Sequence, residues 1–216
     1  MIRARMLLLT LFLFSPNALW AGAWPRAEGE TFLSFSVEHN PTLPQDSPAS
    51  LFVEHGLSPR LTIGLDAGGR QTDLTKAIAF LRWPLKTGAK NTLTAFELGA
   101  GFADDNIALR PGLSWGRGLS FGERSGWIAV DMRGLIYEQA EGLLEMDITL
   151  GLKPGRRSIV ILQLQSGVPS ASEPYARIAP SFVYETKPGY YLELGATAGL
   201  LNSDDLRIKL GVWLRF

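Results

Sequence analysis

From residue 31 to residue 216 the chain alternates apolar and polar positions with a period of two, interrupted by short clusters of Gly, Pro, Asn and Asp. A period of two places alternate side chains on opposite faces of a strand. The last segment, 206–216, is the cleanest case. Leu206, Ile208, Leu210, Val212, Leu214 and Phe216 fall on one face, and Arg207, Lys209, Gly211, Trp213 and Arg215 on the other. The chain stops there on an aromatic residue, whereas the ends of soluble domains usually fray into water. A terminal strand with an apolar outer face and a charged inner face suits the closing strand of a membrane barrel. The same alternation predicts strands over 31–38, 50–57, 61–69, 76–83, 92–102, 107–119, 127–138, 144–152, 158–165, 175–185 and 190–200. Strand four is ambiguous in phase, because Ile78 and Phe80 fall with Arg82.

This pattern predicts an all-β, transmembrane, antiparallel up-and-down barrel of about twelve strands, with 10–14 as the range. A β-sandwich also alternates, but its polar face is the outer one. Here the face opposite the unbroken apolar one carries Glu145, Asp147, Glu193, Arg207 and Lys209. In a packed core those ions would be costly, whereas in a wet or salt-bridged lumen they are not.

The first residues add a targeting expectation. Arg3 and Arg5 precede an apolar run from Met6 to Phe14, followed by Pro16 and the small residues Ala21, Gly22 and Ala23. That layout reads as a signal peptide over 1–23, cleaved after Ala23 or, second, after Ala21, leaving a single barrel domain over 24–216. The run is too short for a spanning helix, and no later segment reaches bilayer length. With 0 Cys there is neither a disulfide framework nor thiolate chemistry. Lys plus Arg and Asp plus Glu both number 21, so no basic excess points to nucleic acid.

The connections sort into two sets. Those on the side of the chain's start are tight and carry Lys or Arg, while the opposite set is mostly acidic or neutral. Of the outer set, only the first and fifth loops have the length to fold into a pore. Trp83, Trp127, Tyr137, Tyr184, Tyr190, Tyr191, Trp213 and Phe216 lie near strand ends, as interfacial girdles do. Pro111 and Pro180 fall inside strands and predict a bulge or bend at each.

The segment Lys209-Leu210-Gly211-Val212-Trp213-Leu214-Arg215-Phe216 resembles the C-terminal signal of Gram-negative outer-membrane barrels. Lys209, Gly211, Leu214 and Phe216 match that motif, and the resemblance implies recognition by the barrel-insertion machinery. The segment from Glu54 to Leu65, EHGLSPRLTIGL, resembles the early hairpin of the MetA-like outer-membrane transporters of phenol degradation.

Catalytic and metal motifs are sparse. His39 and His55 are the two histidines. His39 lies near Ser47 and Ser50, but no nucleophile motif accompanies it. Asp104-Asp105-Asn106 and Asn202-Ser203-Asp204-Asp205 read as turn tips and supply too few oxygens for calcium. No cofactor, metal site or catalytic residue is expected. The functional candidates are the inward charges Glu38, Glu54, Asp66, Glu97, Arg110, Asp131, Arg133, Glu145, Asp147, Arg177, Glu193, Arg207, Lys209 and Arg215. Pairing of strands seven and eight about the 139–142 turn would set Arg133 opposite Asp147 and, at the preceding tip, bring Glu97 near Arg110. Inward glycines (Gly64, Gly68, Gly99, Gly101, Gly112, Gly195, Gly199 and Gly211) suggest spare room in the lumen. The leading expectation is a passive channel for small solutes in the Gram-negative outer membrane, with lipid and the insertion machinery as partners. A closed structural barrel linked to the envelope or surface polymers is the second, and a lipid-modifying enzyme using His39 the third.

Overall fold

Hydrogen-bonded pairing runs unbroken around the whole sheet. A computed structural model describes residues 22–41, 47–70, 73–85, 91–138, 141–203 and 206–216; most of the expected signal peptide and the tip residues Asp204 and Asp205 lie outside them. The strands are β1 (Thr31–His39), β2 (Pro48–Ser58), β3 (Leu61–Arg70), β4 (Asp73–Leu85), β5 (Thr92–Ala103), β6 (Asn106–Phe121), β7 (Arg124–Tyr137), β8 (Leu143–Lys153), β9 (Ser158–Pro169), β10 (Tyr175–Lys187), β11 (Tyr190–Leu201) and β12 (Leu206–Arg215). Each pairs antiparallel with its sequence neighbour, and β1 pairs with β12 to close the barrel. Closure leaves no free edge, as the bilayer requires of a sheet that crosses it. Thr31 and Phe216 seal the seam with two backbone hydrogen bonds of 2.7 and 3.1 Å. We call this the near end of the barrel and the opposite rim the far end.

The phase read from β12 holds. Leu210 is 61% exposed on the outer wall, while Arg207 is 6% exposed inside. The ambiguous β4 resolves with Ile78, Phe80 and Arg82 all inward and buried. Its apolar inner residues fill the lumen beside charged ones, so its alternation carries no polarity signal.

Several expectations are corrected. Pro111 and Pro180 cause no bulge. The β6–β7 register is the same on both sides of Pro111, and the β10–β11 register on both sides of Pro180, with pairs missing only at the proline and its neighbour. Loss of one N–H opens a short gap in the ladder, while the opposite neighbour strand stays in step. Bulges lie elsewhere, at Gly56/Ser58, Gly68/Gly69, Ala176/Arg177 and Glu185/Lys187. The fifth outer connection is short, because β9 continues to Pro169 and leaves only residues 170–174 between it and β10. At the third outer tip Asp104 and Asp105 both have positive φ (48° and 62°), a two-residue hairpin turn that Asp tolerates.

The aromatic girdle also divides. Trp83, Tyr184, Tyr190 and Phe216 face outward near the near end, joined there by Trp115. Trp127, Tyr137, Tyr191 and Trp213 face inward instead. The inward glycines explain part of this. Gly64 pairs with Phe80, Gly151 with Trp127 and Gly167 with Tyr175 across adjacent strands. A Cβ on those glycines would stand 2.1, 2.2 and 2.4 Å from the partner ring. The space that glycine leaves is therefore filled by a ring lying flat across the neighbouring strand, an arrangement that pins register. At Gly64 and its counterparts the missing side chain thus makes no opening.

Gly64→Val is expected to drive Phe80 out of place and to destabilise the barrel by about 1–3 kcal/mol, the usual cost of overpacking. Urea unfolding in lipid vesicles measures this. A midpoint equal to wild type would contradict the packing described.

Candidate functional site

The segment that precedes β1 enters the near half of the lumen with Trp24 and Arg26. Glu30 N–H donates to Ala27 O, Gly29 N–H to Gly56 O, and Gly56 N–H back to Glu30 O, so residues 27–30 turn the chain up into the barrel. A Cβ on Gly56 would lie 2.0 Å from Ala27 O, so β2 needs glycine for this approach. Above the turn Arg26 enters a ring of opposite charges, Trp24 lies over Gly116, and Gly22 abuts the Asp131 carboxylate. Ala23 is fully buried.

Arg26 begins an alternating chain of charges across five strands. Its Nε and Nη2 reach Glu54 Oε2 at 2.7 and 2.6 Å. The other Glu54 oxygen accepts from Arg82 Nη1. Arg82 Nε and Nη2 donate to Glu97 Oε2 at 3.2 and 2.7 Å. Glu97 Oε1 lies 2.9 Å from Arg110 Nη2, Arg110 Nη1 donates to Asp66, and Asp66 pairs with Lys76 at 3.0 Å. The Arg82 and Arg110 guanidiniums sit 5.1 and 5.3 Å from the Phe80 ring centroid, so the ring fills the gap between them. Glu54, Arg82, Glu97 and Arg110 are all buried. Glu54, held between two guanidiniums, has both oxygens hydrogen-bonded, and Glu97 is hydrogen-bonded through Oε2 and in charge contact with Arg110 through Oε1, which makes such burial tolerable.

Most of the remaining inward charges have partners as well. Lys209 Nζ lies 3.0 Å from Glu193 Oε1, and Trp213 Nε1 donates to Glu193 Oε2 at 3.0 Å. Arg207 approaches Glu38 at 3.7 Å, and Arg215 Nε meets Glu30 at 2.8 Å. Asp131 accepts from Ser114 Oγ at 2.5 Å. Arg177 stands over the Tyr175 ring at 5.7 Å. The β7–β8 register differs from expectation by two residues. Arg133 faces Glu145, and Asp131 faces Asp147. Arg133 still reaches Asp147 diagonally at 3.5 Å, because the long side chain follows the strand tilt. Glu97 and Arg110 meet in the same diagonal way, each opposite a glycine.

Every inward charge named from the sequence therefore faces the lumen, but the alternation did not single out Arg26, Lys76 or Arg82. Arg82 was hidden by the apolar inner face of β4. Arg26 lies outside any strand, where periodicity carries no signal. His39 Nδ1 has Ser47 Oγ at 3.4 Å, and His55, on the outer wall, bonds Thr31 Oγ1 at 2.8 Å.

Two features remain inside the wall. Near the near end Phe32, Trp127, Ile159 and Val183 form an apolar cluster, with Trp24, Tyr191 and Trp213 packed against it. Beyond this layer a cavity of about 360 Å³ follows β8–β12 and β1 toward the far end, from Trp213 and Phe32 up to Glu38, Lys76 and Gln165. The charge chain and the N-terminal segment fill the lumen on the β2–β6 side, and the cavity occupies what is left.

Arg82→Leu is expected to leave Glu54 and Glu97 without their central partner and to cost about 3–5 kcal/mol. Arg82→Lys should recover part of that, since an ammonium can meet one carboxylate well but not fork between two. Urea midpoints of the two variants in vesicles decide the order.

No protein-family model and no curated protein matches the sequence. Solved structures match the fold. The KdgM porin superposes with a TM-score of 0.69 at 10% identity, over 86% of this chain and 99% of that one. The NanC porin gives 0.64 at 9% identity, over 85% and 98%. The COG4313 outer membrane channel from Pseudomonas putida F1 gives 0.60 at 9% identity, over 93% and 100%. The chain is thus an all-β, closed, twelve-stranded antiparallel barrel with the architecture of outer-membrane channel structures.

Proposed function

We propose that this barrel is a passive channel for small solutes in the Gram-negative outer membrane, with the near end toward the periplasm. The observation that carries this reading is the polar cavity of about 360 Å³ inside a wall whose outer face is predominantly apolar. The fold shared with porins and channels of similar length supports it. Export by a signal peptide over 1–23 and delivery through Lys209, Gly211, Leu214 and Phe216 to the insertion machinery belong to the same proposal. So does the narrower kinship with the MetA-like transporters, which rests on the β2–β3 hairpin whose Glu54 and Thr62 hold Arg26.

The apolar layer of Phe32, Trp127, Ile159 and Val183 is the gate of this channel. A hydrophobic constriction impedes ions and polar solutes because water leaves it readily. Trp24 belongs to that layer and reaches it on a segment without a strand of its own, so the N-terminal segment sets the gate's width. One neighbour, the KdgM porin, has been solved in complex with disordered oligogalacturonate. A polyanion suits this lumen poorly, since its cations already face carboxylates. The closed-barrel alternative draws on the same filled half of the lumen.

Planar-bilayer recordings distinguish the two. Wild type is expected to conduct weakly, and removal of residues 24–29 from the mature protein to raise single-channel conductance several-fold. If neither form conducts at any voltage, the channel reading falls and the closed barrel stands.

A further inference from the structure

Opposite the charge chain, Glu38, Asp147, Glu193 and Lys209 are set among neutral side chains of the cavity. From β8, β9, β10, β11 and β1 the side chains of Thr149, Gln163, Gln165, Ser181, Thr197 and Ser34 line it. Gln165 Nε2 donates to Gln163 Oε1 at 2.7 Å, and Gln163 Nε2 donates to Thr149 Oγ1 at 3.3 Å. This short amide ladder is incomplete by its own chemistry. Each amide has two N–H donors and an oxygen with two lone pairs, and Thr149 keeps its hydroxyl proton. Among the described residues, Gln165 Oε1 and the hydroxyls of Ser34, Ser181 and Thr197 have no hydrogen-bond partner. Thr197 is 2% exposed, so its hydroxyl is turned to the cavity and away from bulk solvent.

The unspent capacity of these neutral groups is thus both donor and acceptor, and it sits among the carboxylates of Glu38, Asp147 and Glu193. A matching solute must offer donors and acceptors together, which hydroxyl groups do. An anionic solute gains less. Lys209 is engaged by Glu193, Lys76 by Asp66 and Arg133 by Asp147, so it would have to break pairs already made. At its near end the cavity meets the rings of Phe32, Phe52 and Trp213. Aromatic faces beside uncharged hydrogen-bonding groups suit a molecule with apolar C–H faces and hydroxyl edges. The volume of about 360 Å³ is at the small end of the range for small-molecule sites, roughly 300–1,000 Å³.

We infer that the cavity is a binding site for neutral polyhydroxylated solutes of mono- to disaccharide size, held by the Gln163–Gln165 ladder with Thr149, Ser181 and Thr197 and seated on the near-end rings. This deepens the channel reading and rests on it for its physiological meaning, but binding is measured apart from flux.

The test is a tryptophan-fluorescence titration of the purified, folded mature barrel, because Trp213 and Trp127 border the cavity. Maltose serves as the neutral probe and an acidic disaccharide of the same size as the charged one. Maltose is expected to give a saturable change, with the acidic sugar at least about tenfold weaker. Gln163→Leu combined with Gln165→Leu should weaken maltose by about tenfold or more, the scale of one or two hydrogen bonds. Thr197→Val, a smaller change, should weaken it in the same direction if the double variant does not fold. The inference is overturned by an absence of saturable maltose binding, by equal or tighter binding of the acidic sugar, or by folded variants that bind as wild type does. Saturable binding without conductance in any form would instead remove the channel reading and leave the site standing.

Discussion

The structure turns on one constraint. Ionised side chains buried inside a protein-walled lumen must be paired, and the most buried ones here lie between two partners. Arg26, Glu54, Arg82, Glu97, Arg110, Asp66 and Lys76 meet it by alternating in sign across β2, β3, β4, β5 and β6. Taking out an inner member such as Arg82 leaves both of its neighbours short of a partner, and the penalty for an uncompensated buried charge exceeds what the pair itself contributes. The chain of charges also explains why the segment before β1 rises into the barrel. Glu54 has two oxygens and Arg82 satisfies one, so Arg26 completes the set and draws Trp24 after it to the near-end apolar cluster.

That arrangement divides the interior lengthwise. One side is solid, filled by guanidiniums, carboxylates and the Phe80 ring between them. The other keeps a cavity where hydroxyls and amides stand among paired charges and near-end rings. A passage in such a barrel is therefore narrower and less charged in effect than a count of inward ions suggests. The charges hold the wall, and the neutral groups remain available to a solute. Rings act in both roles. Trp83 and Tyr190 lie outward at the near-end rim, while Trp127 and Trp213, equally close to strand ends, turn inward and help shut the lumen.

Much of the wall was readable because the bilayer imposes a rule at each residue. A position on the outer face of β8, β11 or β12 must be apolar, so Leu150, Leu194 and Leu210 reveal phase one by one. Strand number and the inward set of charges follow from that phase. β4 escaped it, since Ile78 and Phe80 are apolar on the inner face, where both apolar and polar residues are allowed. Inward glycine misled for a related reason. Absence of a side chain is visible in the sequence, but the ring that occupies the space comes from another strand, as Phe80 does at Gly64.

By itself the sequence determined an antiparallel barrel of about twelve strands, its outer face, and the residues that look inward, because each of those depends on a local period of two. Only the tertiary structure decided which inward charge meets which. Arg133 reaches Asp147 along a diagonal that register and strand tilt create together. Only it placed Trp24 and Arg26 inside the lumen, where no periodicity could announce them, and brought the neutral side chains of β9, β10 and β11 together on one side of the cavity. Those are relations between distant segments, and their energies come from burial and charge pairing that exist once the barrel has closed.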